Sequence, residues 1–327
     1  MGYLTTTLPP AVEIHHPTSV PDLLLSLLTA KPSYSVNSLP VTRRIQFARN
    51  FAQRGGVTEY SRVVHVYHPE HYRPEENDTF MYFVTAYVDL STGPETQVWV
   101  FCSMEKKRMS MGGIREFINT RVMGKPGKKG RKILVGSIHE EVRKRMVKMG
   151  MGLEKTSVMG NQDWELDDKF IFYTRTLPEL TGGMREERWE VGGKEFYWDS
   201  IKKEDVGLVK SRTGIDRQEA TLLMVPSLAV RLGATGEAVG WGFLGLDGSL
   251  MSLHVEEPYR RLGFGKAIAI KLMRERLSEY GNDGIGTADV WVENTKSQAL
   301  CRAIGGRPEW VVSWGILDLD SIKKVKL

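Results

Sequence analysis

"VEEPYRRLGFGKAIAIKLM", residues 255–273, decides how this chain is read. The residues from Leu250 to Val255 form an apolar run that reads as a buried strand. Beyond it, apolar side chains fall at Phe264, Ile268, Leu272, Met273, Leu277 and Tyr280, the spacing of one helix face. Gly281 then stands where an αL glycine cap would stop the helix. Two arginines and two glycines therefore sit where a strand hands the chain to a helix.

A helix start has unpaired N–H groups and the positive end of the peptide dipole, and both attract anions. Glycine lets the backbone approach an anion with no Cβ in the way. Arg260 and Arg261 add charge that suits phosphate. The spacing thus predicts a phosphate site over Arg261–Lys266. It is not a P-loop, because Gly265-Lys266 is followed by Ala267 and Arg260 occupies the place of the first glycine. A Rossmann fingerprint fails too, since its third glycine would fall at Ile268. Ordinary nucleotide hydrolysis loses support.

"LHVEEPYRRLGFGKA" resembles the acetyl-CoA loop of the GNAT superfamily N-acetyltransferases, whose signature Arg/Gln-x-x-Gly-x-Gly/Ala reads here as Arg260-x-x-Gly263-x-Gly265. The family also places an Asn after the next strand, with Ser or Ala three residues on. "DVWVENTKSQALCRAIGG" supplies Asn294 and Ser297 in those places, after a strand at Ala288–Val292. The layout in two halves is most similar to the glycine N-acyltransferase branch. This resemblance implies an acyl-CoA donor, acetyl-CoA first, with no metal. It implies that the backbone of Arg261–Lys266 holds the CoA pyrophosphate, within a cofactor-binding loop of Arg260, Arg261, Leu262, Gly263, Phe264, Gly265 and Lys266. Leu253 and Val255 would pair with the pantetheine arm along the strand edge, and Asn294 would bond the arm near the thioester. Transfer would be direct, with the Val255 N–H as donor to the thioester oxygen.

Two positions depart from the family pattern. Cys301 stands where a tyrosine acid is common, and Gly306 replaces a phenylalanine. A thiol of ordinary pKa, about 8.5, can leave as thiolate near neutral pH, so an acid is optional. Cys301 is then either a substitute acid or a small packed side chain. An amine acceptor is mostly protonated at neutral pH, so its proton needs a base. Strand alternation puts Ser252, His254 and Glu256 on one face, opposite Met251, Leu253 and Val255. His254 and Glu256 are the candidate coupled base, with Asp247 in the preceding turn as another. Against each stands a plain reading, a solvated carboxylate or a satisfied histidine.

Outward from this stretch, the same order of elements occurs twice. The second half reads as strand 195–201, a helix at "KEDVGLVKSR", strands at "PSLAVRL", "AVGWGFLGL" and "SLMSLHV", the helix from Phe264, a strand, a short helix and a last strand near "WVVSWGIL". Asp247-Gly248 is a hairpin signal. The first half reads as strands at "SRVVHVY", "FMYFVTAYVDL" and "TQVWVFCSM", a helix at "IREFINTRVM", a strand at "KILVGSI", a helix at "EEVRKRMVKMG" and a strand at "KFIFYTRTL". It has no arginine–glycine loop after its third strand. The expected fold class is therefore α/β, a mixed, mostly antiparallel sheet with helices on both faces. We expect two tandem GNAT-like domains, a degenerate one over residues 1–185 and a catalytic one over 186–327. The seam lies within the polar, glycine-containing stretch Pro178–Gly193.

The chain has 327 residues, 41% apolar and 26% charged, which suits a globular protein of two domains. Its most apolar early stretch, Asp22–Leu28, is too short to span a membrane, and no secretory leader is expected. Gly2 and Thr6 fit a bare myristoylation pattern, but bulky Tyr3 argues against it. Two cysteines make no disulfide framework, so a reducing compartment, the cytoplasm, is expected. The sequon at Asn77–Thr79 is then idle. The net charge is +5, yet residues 101–150 alone hold fourteen Lys/Arg against four Asp/Glu. Much of that excess lies in Lys125–Lys132 and Arg143–Lys148, either a solvated face or a dock for an acidic partner. No aromatics interleave within those clusters, which disfavours nucleic acid. His65, His68 and His71 lack further ligands for a structural zinc, and a solvated loop is expected there. The expected function is acyl-CoA-dependent N-acylation of a small-molecule amine, with specificity set between Ile215 and Val225. Alternatives are a protein lysine N-acetyltransferase and a non-catalytic acyl-CoA-binding protein.

Overall fold

The computed structural model describes residues 10–29, 36–69, 83–91, 95–103, 132–156, 164–215 and 217–318. The expected helix at "IREFINTRVM", the basic run "KPGKKGRK" up to residue 131, the sequon and His71 lie outside the described residues. The chain packs as two units. One takes the residues up to Thr156, Trp164–Glu165 and Val312–Asp318 from the far end of the sequence; the other takes Leu166–Val311.

In the first unit β1 (Ala11–His15), β2 (Arg62–Tyr67), β3 (Phe83–Val88) and β4 (Val98–Cys102) pair antiparallel in that order. β5 (Lys132–His139) pairs parallel with β4. The end of the last strand, β14 (Arg307–Asp318), then pairs antiparallel with β5 and with β6 (Leu153–Lys155). The strands are rich in β-branched residues, and their inward side chains form one core. Val64, Val84, Val98, Ile133 and Leu317 are among its members. Among the described residues the unit also has three α-helices: α1 (Asp22–Thr29), α2 (Leu39–Asn50) and α3 (Glu140–Lys148). β1 and α1 had no expectation attached to them.

α3 shows what part of the basic excess does. The Arg143 guanidinium lies 4.8 Å from the Trp164 ring centroid, and Lys144 pairs with Glu140 at 3.0 Å and Glu141 at 3.3 Å. These two cations of the cluster are thus packed or neutralised within the unit.

His65 also has a local role. It is fully buried on β2, with Nδ1 2.8 Å from Thr85 Oγ1. Burial pulls its pKa down to about 4, because a charged imidazole would lose its hydration there. The folded state therefore binds fewer protons than the unfolded state between roughly pH 6.5 and 4, and stability falls as pH drops through that window. His65 alone is expected to remove about 3 kcal/mol across it. Urea unfolding at pH 7 and pH 4.5 checks this: the loss should shrink by most of that amount in His65→Phe. An equal loss in both proteins would contradict it.

In the second unit β8 (Arg188–Val191), β9 (Lys194–Asp199), β10 (Ser227–Leu232), β11 (Ala238–Leu244) and β12 (Leu250–Val255) form an antiparallel sheet in that order. β7 (Leu166–Tyr173) pairs antiparallel with β13 (Ile285–Trp291). α4 (Val206–Ser211), α5 (Glu219–Met224), α6 (Phe264–Arg276) and α7 (Thr295–Ala303) connect the strands. The apolar face expected from helical spacing is the buried one: Phe264, Ile268, Leu272, Met273, Leu277 and Tyr280 are all buried. α6 lies close on β11 because Gly240 and Gly242 carry no side chain. A Cβ at Gly242 would stand 3.0 Å from Ile268 and 3.2 Å from Leu272.

Some local expectations change. Gly281 has φ 136° and ψ 167°, a glycine conformation but not the expected αL cap, because a short 3-10 turn at Leu277–Tyr280 winds down α6 first. The seam Pro178–Gly193 contains strand β8, which turns into β9 at Gly192-Gly193. The packing units also divide before residue 185, since β7 bonds to β13 and the end of β14 bonds to β5. Among the described residues, no helix is long and apolar enough to cross a membrane. Cys102 and Cys301 are both buried.

Candidate active site

The site is built where β12 and β13 part. Among the described residues these strands share one parallel bridge, Ser249 to Thr287, at their lower ends. β12 is held on its other edge by β11, with Trp241 opposite His254 and Gly240 opposite Val255. The Glu256 N–H donates to Val239 O at 2.9 Å across that pairing. Backbone groups alternate in direction along a strand, so the Val255 N–H faces the open edge towards β13.

Simple alternation fails within β12. Gly242 of β11 faces two residues, Ser252 and Leu253, because the register shifts there. Ser252 takes φ 51°, the αL region that a non-glycine residue enters only at a cost. This bulge moves Met251, paired with Phe243, to the His254 face, correcting the face expected for it. Leu253 and Val255 remain on the α6 face, near the positions a Cβ would take at Gly242 and Gly240.

The loop between β12 and α6 has a backbone suited to an anion. Arg261 has φ 66°, and Gly263, the N-cap, has φ 89° and ψ −5°. The first helical bond runs from the Ala267 N–H to Gly263 O at 3.0 Å. The N–H groups of Phe264, Gly265 and Lys266 precede that bond and are left to an external acceptor. Gly265 has a packing reason as well: a Cβ there would lie 3.2 Å from Leu300 on α7. Arg261, Leu262, Gly263 and Lys266 are exposed, whereas Phe264 anchors the helix start against Trp189 and Phe196. Arg260 is engaged differently from the expectation, since its Nε donates to Val255 O at 3.0 Å and ties the loop to the strand end. These features fit a bound pyrophosphate: exposed donors, a positive helix end and no Cβ at the N-cap.

Asn294 is exposed and caps α7, its Oδ1 accepting from the Ser297 N–H at 3.1 Å. Cys301, seven residues on, is 3% exposed. Burial pushes its thiol up to about 12, which makes it a weaker acid than an ordinary thiol leaving group. Gly306 is explained by a neighbour. A Cβ there would fall 2.3 Å from the Phe172 ring and 2.8 Å from Cys301 O, so β7 supplies the aromatic ring in that space. Gly306→Ala is expected to destabilise the protein by about 1–3 kcal/mol through overpacking. Thermal melting checks it, and an unchanged midpoint would contradict the packing.

His254 stacks on Trp241 with ring centroids 4.8 Å apart. Its Nε2 is buried with no hydrogen-bond partner among the described residues, and lies 3.7 Å from Glu256 Oε1. Burial lowers its pKa; Glu256 opposes that shift, while Arg260 and Arg212 add to it. The imidazole is therefore neutral at pH 7. Glu256 in turn accepts from Arg212 Nε at 2.8 Å. Asp247 lies below the start of β12, its Oδ1 accepting from the Ser249 N–H and hydroxyl. The structure thus gathers His254, Glu256 and Val255 beside the loop and leaves Asp247 at the far end of the strand. Arg212, Trp241 and the bulge at Ser252 had no expectation attached. Arg212 lies 44 residues from Glu256 in sequence, and no local pattern signals their pairing. On the other side of the gap, Lys169 and Asp289 form a buried pair at 2.7 Å. Among the described residues no His/Cys/Asp/Glu group is placed to hold a metal ion.

Comparison with known proteins gives a match in each half of the chain. Residues 11–166 match the family described as "Acyl-CoA N-acyltransferase verG N-terminal domain", and residues 227–315 match "FR47-like protein". A Drosophila melanogaster protein superposes with a TM-score of 0.62 at 16% identity, covering 94% of this chain and 98% of its own. A tandem GNAT protein from the clavulanic acid biosynthesis pathway, solved without AcCoA, gives 0.53 at 10% identity over 95% and 98%. A GCN5-related N-acetyltransferase from Sphaerobacter thermophilus gives 0.50 at 14% over 96% and 97%. At such identities the structures speak for fold alone. No curated protein matches the sequence. Each half thus matches a family model, the first that of an acyl-CoA N-acyltransferase domain, and the fold is that of the tandem GNAT proteins.

Proposed function

We propose that this protein transfers an acyl group, acetyl first, from acyl-CoA directly to the amine of a small molecule. The observation that carries the reading is the juxtaposition of an anion-binding helix start, an open strand edge and a neutral histidine within one turn of chain. In this reading Arg261–Lys266 hold the pyrophosphate, Arg260 braces the loop against Val255, and Asn294 and Ser297 face the arm of the donor. The catalytic half is residues 186–327, and 1–185 is its degenerate counterpart.

The acceptor nitrogen attacks the thioester carbonyl carbon, the C–N bond forms as the C–S bond breaks, and sulfur leaves with the electron pair as thiolate. The Val255 N–H receives the charge growing on the carbonyl oxygen. His254 Nε2 takes the proton from nitrogen, and Glu256 passes it towards solvent. Cys301 is assigned to packing. The family acts on amines of small molecules or of proteins. A slim amine is favoured here because the histidine atom it must reach is buried.

Labelled acetyl-CoA, offered together with a pool of small amines and a pool of lysine peptides, tests the acceptor class. Label recovered in the small amines supports the reading. Label recovered only in peptides replaces it with protein lysine acetylation.

A further inference from the structure

His254 Nε2 has no hydrogen-bond partner among the described residues, although a carboxylate stands beside it. Glu256 Oε1 lies 3.7 Å away, too far for a hydrogen bond. That same oxygen accepts from Arg212 Nε at 2.8 Å. Arg212 and His254 therefore compete for one atom, and the arginine holds it. Its reach is built into the fold. Arg212 ends α4, which is seated by buried Val206 and Val209. Asp205, just before α4, is fixed by two bonds from the buried Arg231 of β10, at 2.5 Å and 3.2 Å. Arg212 Nη1 also donates to Ser211 Oγ at 3.3 Å. The other cation beside His254, Arg260, is engaged with Val255 O and leaves Glu256 to Arg212.

The competition matters because a neutral imidazole has two tautomers. A free carboxylate next to Nε2 draws the ring proton to that nitrogen, which then donates and cannot act as a base. With the proton on Nδ1, Nε2 keeps its lone pair. A carboxylate already paired with a guanidinium has much less pull on the ring.

We propose that Arg212 is a positioning residue: by holding Glu256 Oε1 it keeps that carboxylate from closing on His254, so that Nε2 keeps its lone pair for the acceptor amine. The inference rests on the acyltransferase reading for the amine and on the local geometry for the tautomer. Arg212 touches no reacting atom and acts through Glu256. The charged groups around His254 are Glu256 and Arg260, which follow it in the chain, and Arg212 from α4; β11 contributes the uncharged Trp241 ring. Loss of Arg212 removes a cation that lowers the imidazole pKa and frees the carboxylate that raises it, so both changes act upward.

Nitrogen chemical shifts of isotope-labelled histidine, with His254→Gln identifying the resonance, test this without substrate or turnover. In the native protein the neutral ring should carry its proton on Nδ1 and leave Nε2 bare. In Arg212→Met, which keeps an apolar stem and removes the donors, the proton should move to Nε2. The titration midpoint should also rise by about half a pH unit, the scale of one partly exposed ion contact. The same substitution made in Glu256→Gln should move the midpoint much less and leave the tautomer unchanged. Melting curves establish that the variants fold. A native ring already protonated at Nε2, native shifts and midpoint in Arg212→Met, or an equal response in the Glu256→Gln background would each overturn the role. Turnover separates this role from the reading it rests on, because the acid limb of kcat should move with the midpoint. A limb that stays while the midpoint moves would contradict His254 as the base and leave the hold of Arg212 on Glu256 standing.

Discussion

Gly263→Asp is expected to raise the dissociation constant for acetyl-CoA by at least ~100-fold, with only a small change in melting temperature. Gly263 is the N-cap of α6 at φ 89°, and the N–H groups that follow it await an anion. An aspartate tolerates this backbone region better than most residues, so the strain is on the order of 1 kcal/mol. A Cβ there would meet only the Met184 methyl, at 3.4 Å, and that side chain can move. The carboxylate, however, takes the place proposed for the pyrophosphate and repels it. Losing one or two charge-assisted bonds of about 1.5–3 kcal/mol each accounts for the factor. Gly263→Ala, strained but uncharged, should lose far less. Calorimetry on the three proteins separates charge from strain. Unchanged affinity in Gly263→Asp would remove the phosphate assignment from this loop.

His254→Gln is expected to lower kcat by roughly 100-fold or more, the usual worth of a positioned general base, with acetyl-CoA affinity preserved. The pH profile adds a signature that a packing role would not give. The imidazole must be neutral to accept a proton, and burial beside Arg260 and Arg212 holds its pKa below the ordinary value. The native kcat should therefore hold as pH falls towards about 6.5 and decline only below it. That acid limb should be missing from His254→Gln. A variant that keeps full kcat, or keeps the limb, would assign the proton to another group.

Legibility in the sequence followed the range of the interactions. α6 could be read closely, since helical spacing of Phe264, Ile268 and Leu272 reports one buried face, and Gly263 marks a turn that needs positive φ. The apolar runs of β9 to β12 were readable for the same local reason. What escaped depends on pairing between distant segments. The bulge at Ser252 exists because Gly242 faces two residues, and a strict two-residue period misplaces Met251. Phe172 fills the space above Gly306 from a strand more than a hundred residues earlier. Arg212 reaches Glu256 from α4, and the end of β14 pairs with β5 of the first unit. Nothing in local composition announces those partners. Cys301 shows the opposite limit: a residue placed by motif spacing whose burial pushes its thiol up to about 12, which no local pattern announces.

The measurement that bears most directly on the central claim is amine-dependent thiol release from acetyl-CoA, with the product amide identified by mass and Gly263→Asp run in parallel. The account predicts release that requires an added amine, a matching amide product, and loss of both in the variant. Release that ignores the amine, or none with any amine while acetyl-CoA still binds, would contradict it and leave a CoA-binding protein without transferase activity.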